Sequence, residues 1–158
     1  MTIIKPMHFK CAICKESNEF HVPMSATSVG SPDLDTRPSE MARSLIYNLI
    51  QRCNSCGYCA FDISKCKNNT KIIVKSDQYQ DILNDKSLPN VAASYMALSY
   101  ENIQHNEFSE AAWNLIHSAW ICDDESKHEL AKVFRKKSLE CIAKAKAKNQ
   151  KISDQDEA

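Results

Sequence analysis

A chain of 158 residues is long enough for one domain, or for a small module beside a slightly larger one. Its 20 basic and 20 acidic residues cancel, so no overall positive field draws it to nucleic acid or anionic lipid, although that balance still permits a local patch. It has only two glycines, Gly30 and Gly57, and neither sits in a G-x-G-x-x-G or Walker context, which excludes nucleotide binding through those motifs.

The first ten residues contain no apolar run of signal-peptide length, and no later stretch approaches the ~18 apolar residues of a membrane span. The expectation is therefore a soluble, cytoplasmic protein. Eight cysteines in a reducing compartment point to metal ligation or buried thiols rather than disulfides.

In chain order, Cys11 to about Lys67 holds six of the eight cysteines, three of the five prolines and both glycines, and reads as turns, short strands and cysteine knuckles. Cys11-Ala-Ile-Cys14 and Cys53-Asn-Ser-Cys56 are two C-x-x-C pairs, the second followed by Gly57. A tight turn in each brings two thiolates to one side, and two such knuckles supply the four sulfurs that a tetrahedral zinc ion prefers. Glycine after the second pair relieves crowding where the backbone turns around the metal. Iron is the alternative metal, because a rubredoxin-like site uses the same sulfur geometry. The 38 residues between Cys14 and Cys53 exceed the usual spacing and imply an elaborated ribbon with its own inserted loop.

Cys53, Cys56 and Cys59 also form C-x-x-C-x-x-C, which raises Cys59 as a competing ligand or an oxidisable thiol. The turn is complete at Gly57, however, and Tyr58-Cys59-Ala60-Phe61 should continue as a strand. Cys59 and Cys66 are therefore expected to be non-ligands. Four cysteines likewise leave no vacancy for His8 or His21.

Within the insert, Ser31-Pro32-Asp33-Leu34-Asp35-Thr36-Arg37-Pro38 sets two acids and one arginine between two prolines. This reads either as a loop that braces itself through carboxylate–guanidinium bonds, or as a small polar site. In the second case Arg37 would be an anion contact, and Asp33 with Asp35 a cation or acid–base pair. The bracing reading is favoured, because loop charge clusters are more often structural than catalytic. Arg37 is then expected to pair with Asp33, Asp35 or a carboxylate of the helical half.

Lys71-Ile72-Ile73-Val74-Lys75 has strand-like character and marks the join. From Ser76 onward glycine is absent and apolar residues recur at helical spacing. Helices are expected at about 77–84, 90–104, 109–121 and 126–148, the last opened by a Ser126-x-x-Glu129 capping box. The resulting organisation is a metal-binding module over 1–75, a helical module over 76–148 and a polar tail over 149–158.

Asn106 to Ala119 resembles the second half of a tetratricopeptide repeat, in its turn, aromatic and small residues, with Asn102 standing where that repeat has an aromatic. One such repeat cannot bury its own faces, so neighbouring helices must cap it. Tyr95, Tyr100, Trp113, Trp120, Cys122 and Cys141 are expected in the core. Lys132, Arg135, Lys136, Lys137, Lys144, Lys146 and Lys148 should form a solvated face, with an RNA or acidic-partner surface as the minority reading.

The order C-x-x-C, Pro32-Asp33-Leu34-Asp35-Thr36-Arg37-Pro38, Cys53-x-x-Cys56-Gly57-Tyr58, then a helical segment ending Ala119-Trp120-Ile121-Cys122-Asp123-Asp124, resembles an uncharacterised prokaryotic zinc-ribbon family, a domain of unknown function. The resemblance runs from about Cys11 to Lys137. It implies that Cys11, Cys14, Cys53 and Cys56 are the ligand positions and that Asp33, Asp35, Arg37 and Pro38 form the signature loop. Cys59 departs from an alanine-like position in that family.

The fold class expected is α+β, a small zinc-ribbon-like β module followed by a tetratricopeptide-like helical hairpin or bundle. The function expected is a non-enzymatic zinc protein that serves as a protein–protein interaction or scaffold module, through another protein or through self-association. The alternatives are a cysteine-based redox sensor or a nucleic-acid-binding zinc ribbon.

Overall fold

The computed structural model describes residues 2–152, and the chain divides into two units between Asn68 and Asn69. The architecture is α+β, with small antiparallel sheets in the first unit and helices in the second. Among the described residues no helix is long and apolar enough to cross a membrane.

The first unit opens with two antiparallel strands, β1 (Ile3–Lys10) and β2 (Ser17–Ser25), in a register that sets Lys10 opposite Ser17 and Met7 opposite Phe20. Strand alternation places Met7, Phe9, Phe20 and Val22 on one face, where the Phe9 and Phe20 ring centroids are 6.0 Å apart. The other face carries His8, whose Nε2 is 3.3 Å from a Glu19 carboxylate oxygen. After the insert, a 3-10 turn (Arg43–Leu45) runs into one turn of helix, α1 (Ile46–Leu49), and then into a second short hairpin. Its strands are β3 (Gln51–Arg52) and β4 (Cys59–Ala60). Leu45, Ile46, Ile50, Tyr58 and Ile63 are buried and supply the apolar centre that so short a sheet cannot provide alone.

The insert closes on itself. Asp33 N–H donates to the Arg37 carbonyl and Thr36 N–H to the Asp33 carbonyl, both at 2.9 Å, with Thr36 in the left-handed region at φ 68°. The Asp33 carboxylate takes its guanidinium from Arg43 at 2.6 Å, a residue outside the loop motif. Arg37 itself is buried, while Leu34 at the apex is wholly exposed.

The second unit contains α2 (Thr70–Val74), α3 (Asp77–Asn84), α4 (Asn90–Gln104), α5 (Phe108–Asp124) and α6 (His128–Ala147). Ser76 caps α3, its hydroxyl accepting from Tyr79 N–H. The strand expected at Lys71–Lys75 is instead the helix α2. Thr70 and Val74, one turn apart, are the buried pair while Ile72 is exposed, so helical burial overrides the β-branched preference of Ile72-Ile73-Val74.

The expected capping box at Ser126 is also corrected. Ser126 sits at φ 59° and closes the helix before it: its N–H donates to the Asp123 carbonyl and Lys127 N–H donates to the Cys122 carbonyl. That paired closure needs a left-handed residue, whereas an N-cap needs an extended one, so Ser126 cannot serve α6. Glu129 bonds to Lys132 instead, and α5 continues a turn beyond Ile121. Asn106 after α4 and Asn149 after α6 close their helices in the same way.

Alanines at Ala92, Ala111, Ala112 and Ala119 let α4, α5 and α6 pack closely. The Ser118 hydroxyl donates to the Ala92 carbonyl and the Ser138 hydroxyl to the Ala112 carbonyl, at 3.0 and 2.9 Å, so one buried bond repeats at each successive helix pair. Asn102, at the position of the expected aromatic, is buried. It donates to Glu107 and accepts from Asn114, bracing the α4–α5 turn. Tyr95, Trp120, Cys122 and Cys141 are buried, and Tyr100 and Trp113 partly so. Burial pushes the Cys122 thiol up to about 11, as expected of an inert core cysteine.

On α6, Lys132 and Arg135 are paired with Glu129 and Asp123, and the ammonium groups of Lys144 and of Lys148, just past the helix end, lie over the Phe108 ring. Of the polar tail expected over 149–158, residues 153–158 lie outside the described residues. In the described part, Gln150 accepts from Phe108 and Ser109 N–H at the start of α5, and Trp113 Nε1–H donates to the Ile152 carbonyl.

His117 lies between Tyr95 and Trp120, its ring centroid 4.9 and 5.0 Å from theirs, and its Nδ1 is buried without a hydrogen-bond partner. Burial lowers its pKa from 6.5 to about 4. The unfolded chain therefore takes up a proton here between about pH 6.5 and 4 that the folded chain refuses. Stability is full above that window and is lost as pH falls through it. The loss is expected to be on the order of 2 kcal/mol, discounted because part of the ring meets solvent. Thermal unfolding between pH 7 and 4 checks this, and His117→Phe should flatten the dependence.

Candidate metal centre

Each C-x-x-C pair occupies the six-residue loop of a β-hairpin: Cys11 to Glu16 between β1 and β2, and Cys53 to Tyr58 between β3 and β4. The two loops have the same backbone. Cys11 N–H donates to the Glu16 carbonyl and Cys53 N–H to the Tyr58 carbonyl, both at 2.8 Å, while Lys15 and Gly57 N–H return to the carbonyls of Cys11 and Cys53.

The residue after each second cysteine is left-handed, Lys15 at φ 68° and Gly57 at φ 77°. Glycine suits that position and lysine is strained in it. Gly57→Ala is expected to destabilise the first unit by about 1 kcal/mol, and Lys15→Gly to stabilise it by up to about 1 kcal/mol, the gain reduced by glycine's unfolded-state entropy. Denaturant unfolding of the two variants checks the opposite signs.

The knuckles face one another so that the sulfurs of Cys11, Cys14, Cys53 and Cys56 all lie within 4.8 Å of each other. Cys11 Sγ is 3.7 Å from Cys56 Sγ, and Cys14 Sγ is 3.5 Å from Cys53 Sγ. Metal–sulfur bonds of ~2.3 Å in a tetrahedron set sulfurs ~3.8 Å apart, so the cluster fits one ion. A disulfide needs ~2.05 Å, and the cysteines are free thiols.

Electrostatics within the cluster are uneven. Burial raises the Cys11 and Cys56 thiols. Burial also raises Cys53, but the amides of Cys56 and Ser55, the Cys14 thiol and the Asn18 side chain outweigh it and bring Cys53 down to about 7. A cation entering the cluster must therefore expel protons from Cys11 and Cys56, and metal affinity should fall as pH falls.

The other sequence candidates fall outside the group. Cys59 is buried on β4 with its thiol donating to the Gly57 carbonyl, and Cys66 is exposed. Neither His8 nor His21 belongs to it. Neither Asp33 nor Asp35 belongs to it, and Asp33 and Arg37 are bonded to each other through their backbone within the insert.

The residues that join the knuckles carry no motif in the sequence. Asn18, buried on β2, donates from Nδ2 to the Glu16 carbonyl at 3.2 Å and to Cys53 Sγ at 3.5 Å, and its Oδ1 accepts from Asn54 N–H at 2.9 Å. Ile63 takes Ala12 N–H on its carbonyl and gives its own N–H to the buried Gln51 side chain, tying the first knuckle to β3. No local motif marks these residues, since their roles depend on how the hairpins meet.

The fold and the site together define an α+β protein with a four-cysteine cluster that could hold a metal ion. Over residues 6–158 the chain matches the family described as "Uncharacterized protein conserved in bacteria (DUF2225)", and it belongs to that family. No curated protein and no solved structure matches it.

Proposed function

We propose that this chain is a zinc protein whose first unit is a zinc-ribbon-like module stabilised by the metal and whose second is a tetratricopeptide-like contact module. The carrying observation is the convergence of four sulfurs from two equivalent hairpin loops. An all-sulfur set closes the coordination sphere, which suits a structural rather than a catalytic metal. Thiolate ligands favour zinc over magnesium or calcium, with iron the competing occupant. Cys11, Cys14, Cys53 and Cys56 would hold the ion, which supplies cross-linking of the two hairpins.

The contact role has separate support. The repeated serine–alanine bonds and matching helix closures of α4 to α6 suit a short helical array, whose end faces are natural docking places. Leu34 stands exposed at the apex of a loop braced by Asp33 and Arg43. Such a protein belongs in a reducing cytoplasm, where thiolates persist, and its partner is another protein or a second copy of this chain. The pairing of Lys132 and Arg135, and the stacking of Lys144 and Lys148, weigh against α6 as a nucleic-acid surface.

The test is affinity capture by the zinc-loaded full chain, together with light scattering across a dilution series. A reproducible protein partner or concentration-dependent self-association is expected. A chain that stays monomeric, captures nothing and turns over a small molecule contradicts the reading.

A further inference from the structure

The side chain of Asn18, on the strand that follows the first knuckle, donates to a sulfur of the second knuckle, Cys53 Sγ, at 3.5 Å. It lies just past the first knuckle, is 3% exposed, and reaches the second knuckle at two points. Its orientation is fixed from both sides. Asn54 N–H can only donate, so Oδ1 must face it; the Glu16 carbonyl can only accept, so Nδ2 must face that. The remaining Nδ2 hydrogen is then available to Cys53 Sγ.

Four thiolates around a divalent ion leave two net negative charges in a largely buried site, and N–H donors to sulfur offset that charge. Backbone amides serve Cys11 and Cys53 in the same pattern, from Ile13 and Cys14 to one and from Ser55 and Cys56 to the other. Asn18 breaks that symmetry, because it adds a side-chain donor on the Cys53 side.

We propose that Asn18 is a positioning residue of the metal centre, whose amide donates to the metal-bound Cys53 sulfur while its carbonyl clamps the second knuckle to the first. This rests on the reading of the four cysteines as a metal site. Aspartate at this position is isosteric and can still accept from Asn54 N–H, but it presents a carboxylate to the sulfur in place of a donor. Alanine removes both bonds.

The experiment uses the full chain loaded with zinc, cobalt(II) or cadmium-113. Removal of zinc by excess chelator is expected to be about tenfold or more faster in Asn18→Asp and Asn18→Ala than in the unaltered chain. In the cobalt form, the sulfur-to-metal charge-transfer band should move to longer wavelength in both variants, because a thiolate that loses a hydrogen bond becomes the stronger donor. A residue that only packs would leave that band in place. In the unaltered cadmium-113 form, a scalar coupling between the metal and an Asn18 side-chain amide proton is expected across the hydrogen bond, and this reading does not require either variant to fold.

Unchanged release rates and spectra in folded variants overturn the proposal. So does the absence of that coupling when the backbone amides of Ser55 and Cys56 show theirs. An unaltered chain that binds none of the three metals contradicts the metal reading instead, which keeps the two failures apart.

Discussion

Cys53→Ser is expected to abolish metal retention and unfold the first unit. A structural four-cysteine zinc site can contribute on the order of 10 kcal/mol to folding, more than the whole net stability of many small domains. The hairpins of this unit have little to replace it. β3 and β4 are two residues each, and Ile3, Ile4, Met7 and Met24 on the longer hairpin are exposed rather than buried in a core. A serine hydroxyl is a poor substitute, because it stays protonated near neutral pH and is a harder donor than thiolate. Cys59→Ser should leave the metal in place: Cys59 is outside the cluster, and a hydroxyl there can still donate to the Gly57 carbonyl. Metal content measured beside the backbone amide spectrum separates the two variants. Loss of metal from the Cys59 variant would overturn the ligand assignment.

Thr70→Val is expected to lower the stability of the helical unit by about 2 to 3 kcal/mol. Thr70 is wholly buried at the start of α2, and its hydroxyl donates at 2.6 Å to Glu101 Oε1, a carboxylate only 3% exposed on α4. His105 Nε2 completes the cluster, 3.3 Å from that hydroxyl and 3.5 Å from the carboxylate oxygen. Valine keeps the shape but removes the donor, so Glu101 remains buried with one charge-assisted bond fewer. Thr70→Ser keeps the hydroxyl and should cost about 1 kcal/mol or less, the loss of one methyl group. Urea unfolding at constant slope reads the difference. A valine variant within about 0.5 kcal/mol of the unaltered chain contradicts this account of the cluster.

The cysteine knuckles were legible in the sequence because their chemistry is local: a C-x-x-C turn has few conformations, and Gly57 marks its left-handed residue. The equivalent residue of the first knuckle was not legible, because Lys15 accepts a conformation its type disfavours. The long helices were also legible from apolar periodicity. Errors came where neighbours overrule local preference: Ile72-Ile73-Val74 reads as a strand until the burial of Thr70 and Val74 makes it a helix. Ser126-x-x-Glu129 reads as a helix start until the end of α5 claims Ser126. Asn102, which departs from the repeat pattern, is explained only by its buried partners Glu107 and Asn114. Asn18 is the extreme case, since its partners Cys53 and Asn54 lie far along the chain.

The most direct test of the zinc reading is elemental analysis with X-ray absorption at the metal edge, on full chain purified without chelator. The account predicts one zinc per chain, surrounded by four sulfurs at about 2.3 Å. A folded chain that carries neither zinc nor iron, with the thiols of Cys11, Cys14, Cys53 and Cys56 all open to modification, would contradict it.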